Sequence, residues 1–171
     1  MKTRKLVITA LFAALTCIAT MVIRIPSGVS GGYVNLGDGM VLISAYILGP
    51  VFGALAAGIG SCLADVFAGY ASFAIPTLVI KFLMALAAGF VFKRMNKSKK
   101  WYVLVLCSVL GEVVMVVGYF LVEIWLSGSL AAAVAGIYGN LTQSVFGIAV
   151  SAILYKGLTV NSTLKRYIDK M

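Results

Sequence analysis

Two carboxylates and a phenol recur at helical spacing within one long apolar stretch of the chain. Glu112, Tyr119 and Glu123 lie on a single stripe of a helix, because eleven residues complete about three turns. Asn140 and Gln143 follow in the next apolar segment. Such groups can bind a polar small molecule through hydrogen bonds, and a carboxylate beside a phenol can also act as an acid–base pair.

The surrounding chain has the composition of an integral membrane protein. Its 171 residues are 62% hydrophobic and only 11% charged, and the mean hydropathy is +1.07, outside the usual range of soluble domains. A spanning helix needs about 20 apolar residues, so this chain holds about six. A charge in hydrocarbon costs roughly 2.5–3.5 kcal/mol, so the polar stripe must face a pocket, a partner or water. We expect an all-α integral membrane protein, a compact bundle of six transmembrane helices.

The net charge of +9 comes from basic residues near the ends of the apolar segments. Most of them form three groups, at the N terminus, in one loop and in the tail: Lys2, Arg4, Lys5; Lys93, Arg94, Lys97, Lys99, Lys100; Lys156, Lys165, Arg166 and Lys170. Loops rich in Lys and Arg stay on the cytoplasmic side, so all three groups and both termini are predicted to be cytoplasmic. Membrane topology thus explains the charge, and nucleic acid binding is not expected.

The sequence offers nothing from which to build a metal or redox centre. It has no histidine, and Cys17, Cys62 and Cys107 each lie singly in an apolar segment. We expect small buried thiols and no cofactor. Residues 1–19 resemble a signal peptide, but no cleavage site followed by a polar mature domain appears, so this segment is interpreted as the first helix.

Breaks in the apolar pattern divide the chain into six helices within one domain, residues 1–171. The predicted helices span about residues 4–25, 38–48, 51–68, 76–92, 101–126 and 135–155. Asp38 is the predicted N-cap of helix 2, Gly49 and Pro50 end that helix, and Pro76 suits the first turn of helix 4. One kinked helix over 38–68 would give five crossings and move the Lys-rich loop outside, so the charge distribution favours six.

In this topology, polar residues of different helices converge on the extracellular half. Asp65 near the outer end of helix 3 and Lys81 in helix 4 form either an interhelical ion pair or part of a ligand site. Glu123, Asn140 and Gln143 lie at a similar depth and are candidates for a small-molecule pocket. The two amides are alternatively hydrogen-bond partners between helices.

Four aromatic residues lie in or beside the predicted outer loops: Tyr33, Tyr70, Trp125 and Tyr138. They either rim the pocket or form an interfacial belt. Glu112 lies deeper, and the sequence leaves its role open.

Small residues at four-residue spacing occur on two helices. Ala10 and Ala14 on helix 1 allow another helix to approach closely, and Gly53, Ala57 and Ser61 do the same on helix 3. Such spacings also arise by chance in an Ala-rich chain, so spacing alone favours packing inside the bundle.

Six short stretches occur in order along the chain: Tyr33-Val-Asn-Leu-Gly-Asp38, Leu48-Gly-Pro50, Gly60-Ser-Cys-Leu-Ala-Asp65 with Gly69-Tyr70, Ile80-Lys81, Met115-Val-Val-Gly-Tyr-Phe-Leu-Val-Glu123 and Gly139-Asn-Leu-Thr-Gln143. Together they resemble the substrate-binding S components of energy-coupling factor (ECF) vitamin transporters, closest to the pyridoxine or hydroxymethylpyrimidine branch. The resemblance covers nearly the whole chain. Tyr138 departs from it, since a proline is expected before Gly139.

The resemblance implies a six-helix S component of a bacterial cell membrane that captures a vitamin at its outer face and carries it inward by toppling. Its implied partners are a transmembrane coupling protein and two cytoplasmic ATPases, and the chain itself has no G-x-x-x-x-G-K loop. The family's Ala-xxx-Ala docking motif maps to Ala10 and Ala14. The implied ligand site lies between the first outer loop, here with Tyr33 and Asn35, and helices 4 to 6.

We interpret the chain as a non-enzymatic subunit that binds pyridoxine or hydroxymethylpyrimidine, with another vitamin such as riboflavin as the alternative. Glu123 would accept a hydrogen bond from a hydroxyl or amino group, and Asn140 and Gln143 would bond polar ring atoms. Tyr119 and Met115 would pack on the ring. The competing classes are a small intramembrane enzyme that uses the polar stripe as acid and base, and a channel or helix-packing scaffold.

Overall fold

Helices make up nearly all of the computed structural model, which describes residues 2–26, 33–96, 98 and 100–169. In chain order the elements are α1 (Lys2–Val22), β1 (Arg24–Pro26), β2 (Tyr33–Asn35), α2 (Gly37–Leu48), α3 (Pro50–Phe67), α4 (Ala71–Arg94), α5 (Trp101–Ser127), α6 (Leu130–Val160) and α7 (Ser162–Asp169). Within these ranges α1, α3, α4, α5 and α6 are long and apolar enough to cross a membrane. The predicted class, a helical integral membrane bundle, is confirmed.

Helix α2 lies inside the bundle and not against lipid. Its 12 residues rise about 18 Å, less than the roughly 30 Å of a bilayer core. Every residue of α2 except Met40 is buried, and the helix contacts α1, α3, α4 and α6. Because other helices surround it, α2 can carry polar side chains that lipid would not tolerate.

A tight turn places α2 and α3 side by side. Gly49 joins them with a φ of 81°, a left-handed conformation that side chains other than glycine rarely adopt. At Gly53, one turn into α3, a Cβ would lie only 2.5 Å from the Ala45 Cα, so the two backbones meet in direct contact. The break predicted at Gly49 and Pro50 is therefore the corner of a helical hairpin.

Three buried aromatic rings fill one end of the bundle. Tyr46, Phe92 and Tyr155 come from the last turns of α2 and α4 and the C-terminal part of α6. Their ring centroids lie 4.6, 5.7 and 5.4 Å apart, a spacing that aromatic pairs favour. The Tyr46 hydroxyl lies 2.7 Å from Ser108 Oγ, so its polar atom is satisfied inside the core. We call this end of the molecule the aromatic end.

The basic groups meet at the same end. Lys5 Nζ lies 4.6 Å from the centroid of the Phe52 ring, which places the first turns of α1 and α3 together. Lys156 Nζ lies 4.0 Å from the centroid of the Trp101 ring, which places the end of α6 beside the start of α5. The described parts of the N-terminal, loop and tail groups therefore lie on one side of the bundle.

A two-stranded antiparallel hairpin corrects the predicted end of helix 1. Helix α1 ends at Val22 and not at Ile25, and β1 pairs with β2 in the register Arg24 with Asn35 and Ile25 with Val34. Apolar periodicity could not separate the last turn of a helix from a short strand here, since Ile23 and Ile25 suit both. Residues 27–32, which belong to the predicted first outer loop, lie outside the described residues.

Two further helices, α4 and α6, begin earlier in the chain than predicted. Pro76 lies inside α4, which begins at Ala71, and not in the first turn; membrane helices tolerate proline where neighbours satisfy the freed backbone carbonyl. Helix α6 begins at Leu130 and runs unbroken through Tyr138 to Val160. A short helix, α7, then follows in the predicted basic tail.

Candidate functional site

A small cavity lies at the end of the bundle opposite the aromatic end, and we call this the cavity end. The cavity volume is about 40 Å³. It is lined by residues of β2, α3, α4, α5, α6 and the turn before α4: Val34, Asn35, Asp65, Tyr70, Phe73, Thr77, Tyr119, Glu123, Gly136, Gly139, Asn140 and Gln143. Mixed apolar and polar walls of this kind are typical of small-molecule sites.

Helix α5 contributes a phenol and a carboxylate one turn apart. The Tyr119 hydroxyl lies 3.0 Å from Thr77 Oγ1, so α4 and α5 are joined at the cavity wall. The Glu123 side chain is buried and its carboxylate packs directly against the Cα of Gly136, where no Cβ could fit. Glycine on α6 thus makes the space that the Glu123 carboxylate occupies.

The Gln143 side chain forms the floor of the cavity and ties three elements together. Its Oε1 accepts a hydrogen bond from the Asn35 backbone N–H at 2.9 Å, and its Nε2 donates to Asp38 Oδ2 at 2.7 Å. The Asn35 side chain in turn accepts from the Gly37 N–H at 2.8 Å. Both ends of the Gln143 amide are therefore engaged within the protein, which supports the interhelical alternative for this residue.

The buried ion pair of Lys81 has a different partner from the predicted one. Lys81 Nζ forms an ion pair and hydrogen bond with Asp38 Oδ1, and both side chains are fully enclosed. One of the two sequence alternatives paired Lys81 with Asp65, and Asp38 was the predicted N-cap of α2. The N-cap position is instead Leu36, without a side-chain hydrogen bond. Helix α2 runs between α4 and α6, so its first turn brings Asp38 to Lys81.

Asn140 presents a hydrogen-bond donor at the cavity. Its Nδ2 is buried and has no hydrogen-bond partner within the described part of the chain. Its backbone carbonyl accepts from Ser144 Oγ at 2.8 Å, which fixes the turn of α6 that carries it. A buried donor of this kind favours an acceptor on a bound molecule, because leaving it unpaired costs about 1–3 kcal/mol.

The structure brings together most of the predicted site residues. Of the residues singled out from the sequence, those that line the cavity are Asn35, Asp65, Tyr70, Tyr119, Glu123, Asn140 and Gln143. Lys81 lies behind this wall, with its Nζ 5.3 Å from the Tyr119 ring centroid. Met115 is fully buried in the core and does not line the cavity, because it lies a further turn away from the cavity end.

The remaining predicted residues lie elsewhere. The backbone of Tyr33 is in β2, but its side chain lies outside the described residues. Trp125 and Tyr138 are highly exposed, as an interfacial belt requires. Glu112 is buried deep between α5 and α6 and does not line the cavity. The stripe on α5 therefore divides, with its two outer members at the cavity and the inner one apart.

Sequence reasoning missed several cavity residues: Val34, Phe73, Thr77, Gly136 and Gly139. Thr77 could have been found, since it lies one helical turn before Lys81 and so on the same face. Gly136 carries no sequence signal of its own. Only the position of the Glu123 carboxylate shows why a side chain cannot stand there.

Comparison with known proteins identifies relatives that align over most of this chain. A protein of Pyrococcus woesei described as "Uncharacterized protein in gap 3'region" is 41% identical over 133 residues, 78% of this chain and 86% of the relative. The thiamine precursor transporter HmpT of Lactococcus lactis subsp. cremoris (strain MG1363) is 27% identical over 152 residues, 88% of this chain and 85% of the relative.

Solved structures share the fold. The S component for biotin from an ECF-type ABC transporter superposes with a TM-score of 0.68 at 20% identity, covering 91% of this chain and 92% of the other. The S component of a bacterial ECF transporter gives a TM-score of 0.69 at 17% identity, with 93% and 97% covered. A family model described as "ECF-type riboflavin transporter, S component" matches residues 1–160. The chain therefore belongs to the S-component family of ECF-type transporters.

Proposed function

We propose that this S component captures a single-ring heteroaromatic vitamin precursor of the hydroxymethylpyrimidine class in the cavity beside Glu123 and Asn140. As a family member, the chain is a membrane-embedded substrate-binding subunit for a vitamin or vitamin precursor and not an enzyme. The observation that carries the choice of site is the buried Asn140 Nδ2, a donor on a residue that lines the same cavity as Glu123.

The chemistry of such a ring matches the groups present. The Glu123 carboxylate accepts hydrogen bonds, as an exocyclic amino group or a hydroxymethyl group requires. The Asn140 Nδ2 donates, as a ring nitrogen requires. Phe73 and Tyr119 supply aromatic faces for the ring. Pyridoxine, also a hydroxymethylated single ring, is the next candidate of the same size.

Cavity size supports a small ligand. At about 40 Å³, the cavity is far below the roughly 300–1,000 Å³ of typical drug-sized sites. Binding any ring requires the lining to move outward, and the movement grows with the ligand. The relationship to a thiamine precursor transporter points to the same size class.

Mass spectrometry of the molecule released from freshly purified protein tests the proposal. We expect a hydroxymethylpyrimidine at close to one molecule per chain. Titration of ligand-stripped protein with hydroxymethylpyrimidine, pyridoxine and riboflavin then ranks the three. The proposed substrate would be overturned if the molecule released at one per chain is not a heteroaromatic compound with one ring. A clear preference for riboflavin would overturn it as well.

Riboflavin remains the second candidate because the matching family model is described as the S component of a riboflavin transporter. Its three-ring system would need a much larger opening of the cavity. Riboflavin absorbs visible light, so protein purified after expression in riboflavin-supplied cells would be yellow if this candidate were correct. Colourless protein that also fails to bind added riboflavin would exclude it.

We also propose that the exposed face of α1 docks on a transmembrane coupling protein that works with two ATPases. Ala10 and Ala14 are both exposed on α1. By contrast, Gly53, Ala57 and Ser61 on α3 are buried within the bundle. The same small-residue spacing thus serves internal packing on α3 and leaves a close-approach surface open on α1.

Co-purification tests this docking surface. Ala10→Trp with Ala14→Trp should abolish recovery of the coupling protein and ATPases while ligand binding persists. Ala131→Trp, at an exposed alanine near the start of α6, is the matched control. Full recovery of partners with the α1 double variant would contradict the proposal.

The basic side of the bundle is proposed to face the cytoplasm. Lys and Arg groups from both ends of the chain and the loop before α5 cluster there, as the positive-inside rule requires. The cavity then opens toward the outside, where a nutrient arrives. Labelling of single cysteines introduced at Lys93 and at Ser129 with a membrane-impermeant reagent would report the orientation.

A further inference from the structure

We propose that the seam between α5 and α6 binds one anionic phospholipid, with its phosphate at Lys100 and Lys156 and an acyl chain in an apolar groove. The seam is defined by contacts between antiparallel helices. Lys156 lies over Trp101 at the aromatic end, and Glu123 lies against Gly136 at the cavity end. The two parts of the proposed site lie on this one seam.

The groove is large and apolar. It has a volume of about 500 Å³, within the range of small-molecule sites. Its main walls are Val109, Val113 and Val117 of α5 and Leu141, Val145 and Ile148 of α6. Most of these side chains are exposed on the surface that faces lipid, so the groove is open to an acyl chain from the side.

Glu112 and Ser144 also line this groove, but its surface is mainly apolar. The Glu112 carboxylate packs against the Cα of Gly147 inside the seam, beside the Cβ of Asp38. Both carboxylate oxygens are buried. The surface that the groove presents to the bilayer is therefore mainly aliphatic, which suits a hydrocarbon chain and not a polar ligand.

The head of the proposed site combines positive charge with aromatic rings. Lys156 Nζ lies 4.0 Å from the Trp101 ring centroid, and Lys100 Nζ lies 5.7 Å from the Tyr102 ring centroid. Trp and Tyr favour the headgroup level of a membrane. Basic pockets between membrane helices bind anionic headgroups, because each Lys near the surface attracts an anionic lipid.

Helix geometry places the head and the groove at one lipid's length. Val109 lies eight positions after Trp101, and Ile148 lies eight positions before Lys156. At about 1.5 Å per residue, both helices put the near end of the groove about 12 Å from the basic end. One leaflet of hydrocarbon is about 15 Å deep, so a chain hanging from a headgroup there reaches the groove.

The basic head and the apolar groove also lie on the same face of each helix. Tyr102, Val109 and Val113 recur at seven and four residues, so they share one stripe of α5. On α6, Ile148 and Lys156 are eight residues apart and share a stripe as well. The charged head and the apolar groove are thus two parts of one lipid-facing surface.

Fluorescence quenching by brominated lipids tests the proposal on the full chain. In a Trp125→Phe background, Trp101 is the remaining tryptophan. We expect dibrominated phosphatidylglycerol to quench it at a lower mole fraction than dibrominated phosphatidylcholine, with a preference of roughly fivefold per lysine. Lys100→Gln with Lys156→Gln should reduce that preference to near one.

Controls separate this site from general surface charge. Lys93→Gln removes a basic group of the same end outside the seam and should keep the preference. Val113→Phe with Val145→Phe fills the groove and should lower the number of phosphatidylglycerol molecules retained in native mass spectrometry, whereas Val79→Phe on α4 should not. Inorganic phosphate should not compete.

Three results would overturn the proposal. One is equal quenching of Trp101 by the two lipids. Another is an equal loss of preference with Lys93→Gln. The third is loss of the ATPase partners from Lys100→Gln with Lys156→Gln while lipid preference is unchanged, which would assign the basic head to a protein surface.

Discussion

The two ends of the bundle are built on opposite principles from the same helices. At the cavity end, α2, α4 and α6 contribute Asp38, Lys81 and Gln143, which are buried polar groups satisfied by specific partners. At the aromatic end, the same helices contribute packed rings, and the Tyr46 hydroxyl donates to the Leu104 carbonyl at 3.2 Å and lies 2.7 Å from Ser108 Oγ.

Ligand recognition and helix packing are therefore located at different positions along the same helices. Polar side chains in a low-dielectric interior are costly unless each is paired, so they require fixed geometry. Fixed donors and acceptors are what a polar ligand needs. Aromatic packing tolerates no polar ligand but can hold the helices together while the cavity end opens.

The largest expected effect tests whether the polar network also stabilises the fold. Lys81→Met leaves the buried Asp38 carboxylate without its counter-charge and should lower the free energy of unfolding by about 3–5 kcal/mol. Lys81→Met with Asp38→Asn should recover most of it. Denaturant titration in detergent measures both. A single variant as stable as the native protein would contradict the network's role.

At the aromatic end, Phe92→Ala should cost about 3 kcal/mol in stability, because it removes a fully buried ring from the three-ring cluster. Ligand affinity of the folded fraction should be unchanged. Phe90→Ala on the exposed face of α4 is the control and should leave stability nearly unchanged. A loss of ligand affinity with Phe92→Ala would show that the aromatic end also contributes to ligand binding.

At the cavity, Glu123→Ala and Asn140→Ala should each weaken ligand binding at least about tenfold, since each removes one partner of a buried hydrogen bond. Calorimetric titration with the molecule identified by mass spectrometry measures the change. Thr142→Ala, at a half-buried neighbour whose Oγ1 donates to the Tyr138 carbonyl at 2.9 Å, should bind normally. Unchanged affinity in both cavity variants would refute the site.

The smallest effect concerns the glycine that makes room for Glu123. Gly136→Ala should displace the carboxylate and cost about 1 kcal/mol, roughly fivefold in affinity. Gly157→Ala is the control on the same helix, since nothing lies within 4 Å of the added Cβ. In a Glu123→Ala background, Gly136→Ala should cause no further loss. An additive loss there would mean that Gly136 acts on the ligand directly.

Much of the cavity was predictable from helix depth alone. Tyr119, Glu123 and Asn140 are polar residues near one end of long apolar helices, and that position is enough to bring them together in a bundle. Gln143 also lines the cavity, and its amide forms hydrogen bonds with β2 and α2. What depth could not supply was the partner of each polar group.

The ion pair between Lys81 and Asp38 could not be predicted from helix depth. Asp38 and Asp65 are both acidic residues at similar depth, and either could meet Lys81. The choice follows from the position of the short buried helix α2 between α4 and α6. Hydrophobic periodicity shows which face of one helix is apolar. It does not show which neighbouring helix that face contacts.

The sequence by itself determined that this chain is a membrane bundle, where most of its helices run, and which end gathers positive charge. Those properties depend on transfer from water to lipid, which is nearly additive over residues. Only the tertiary structure decided that Lys81 pairs with Asp38, that Gly136 makes room for Glu123, and that Met115 is core. Those outcomes depend on contacts between helices, where distances of a few ångströms decide which groups meet.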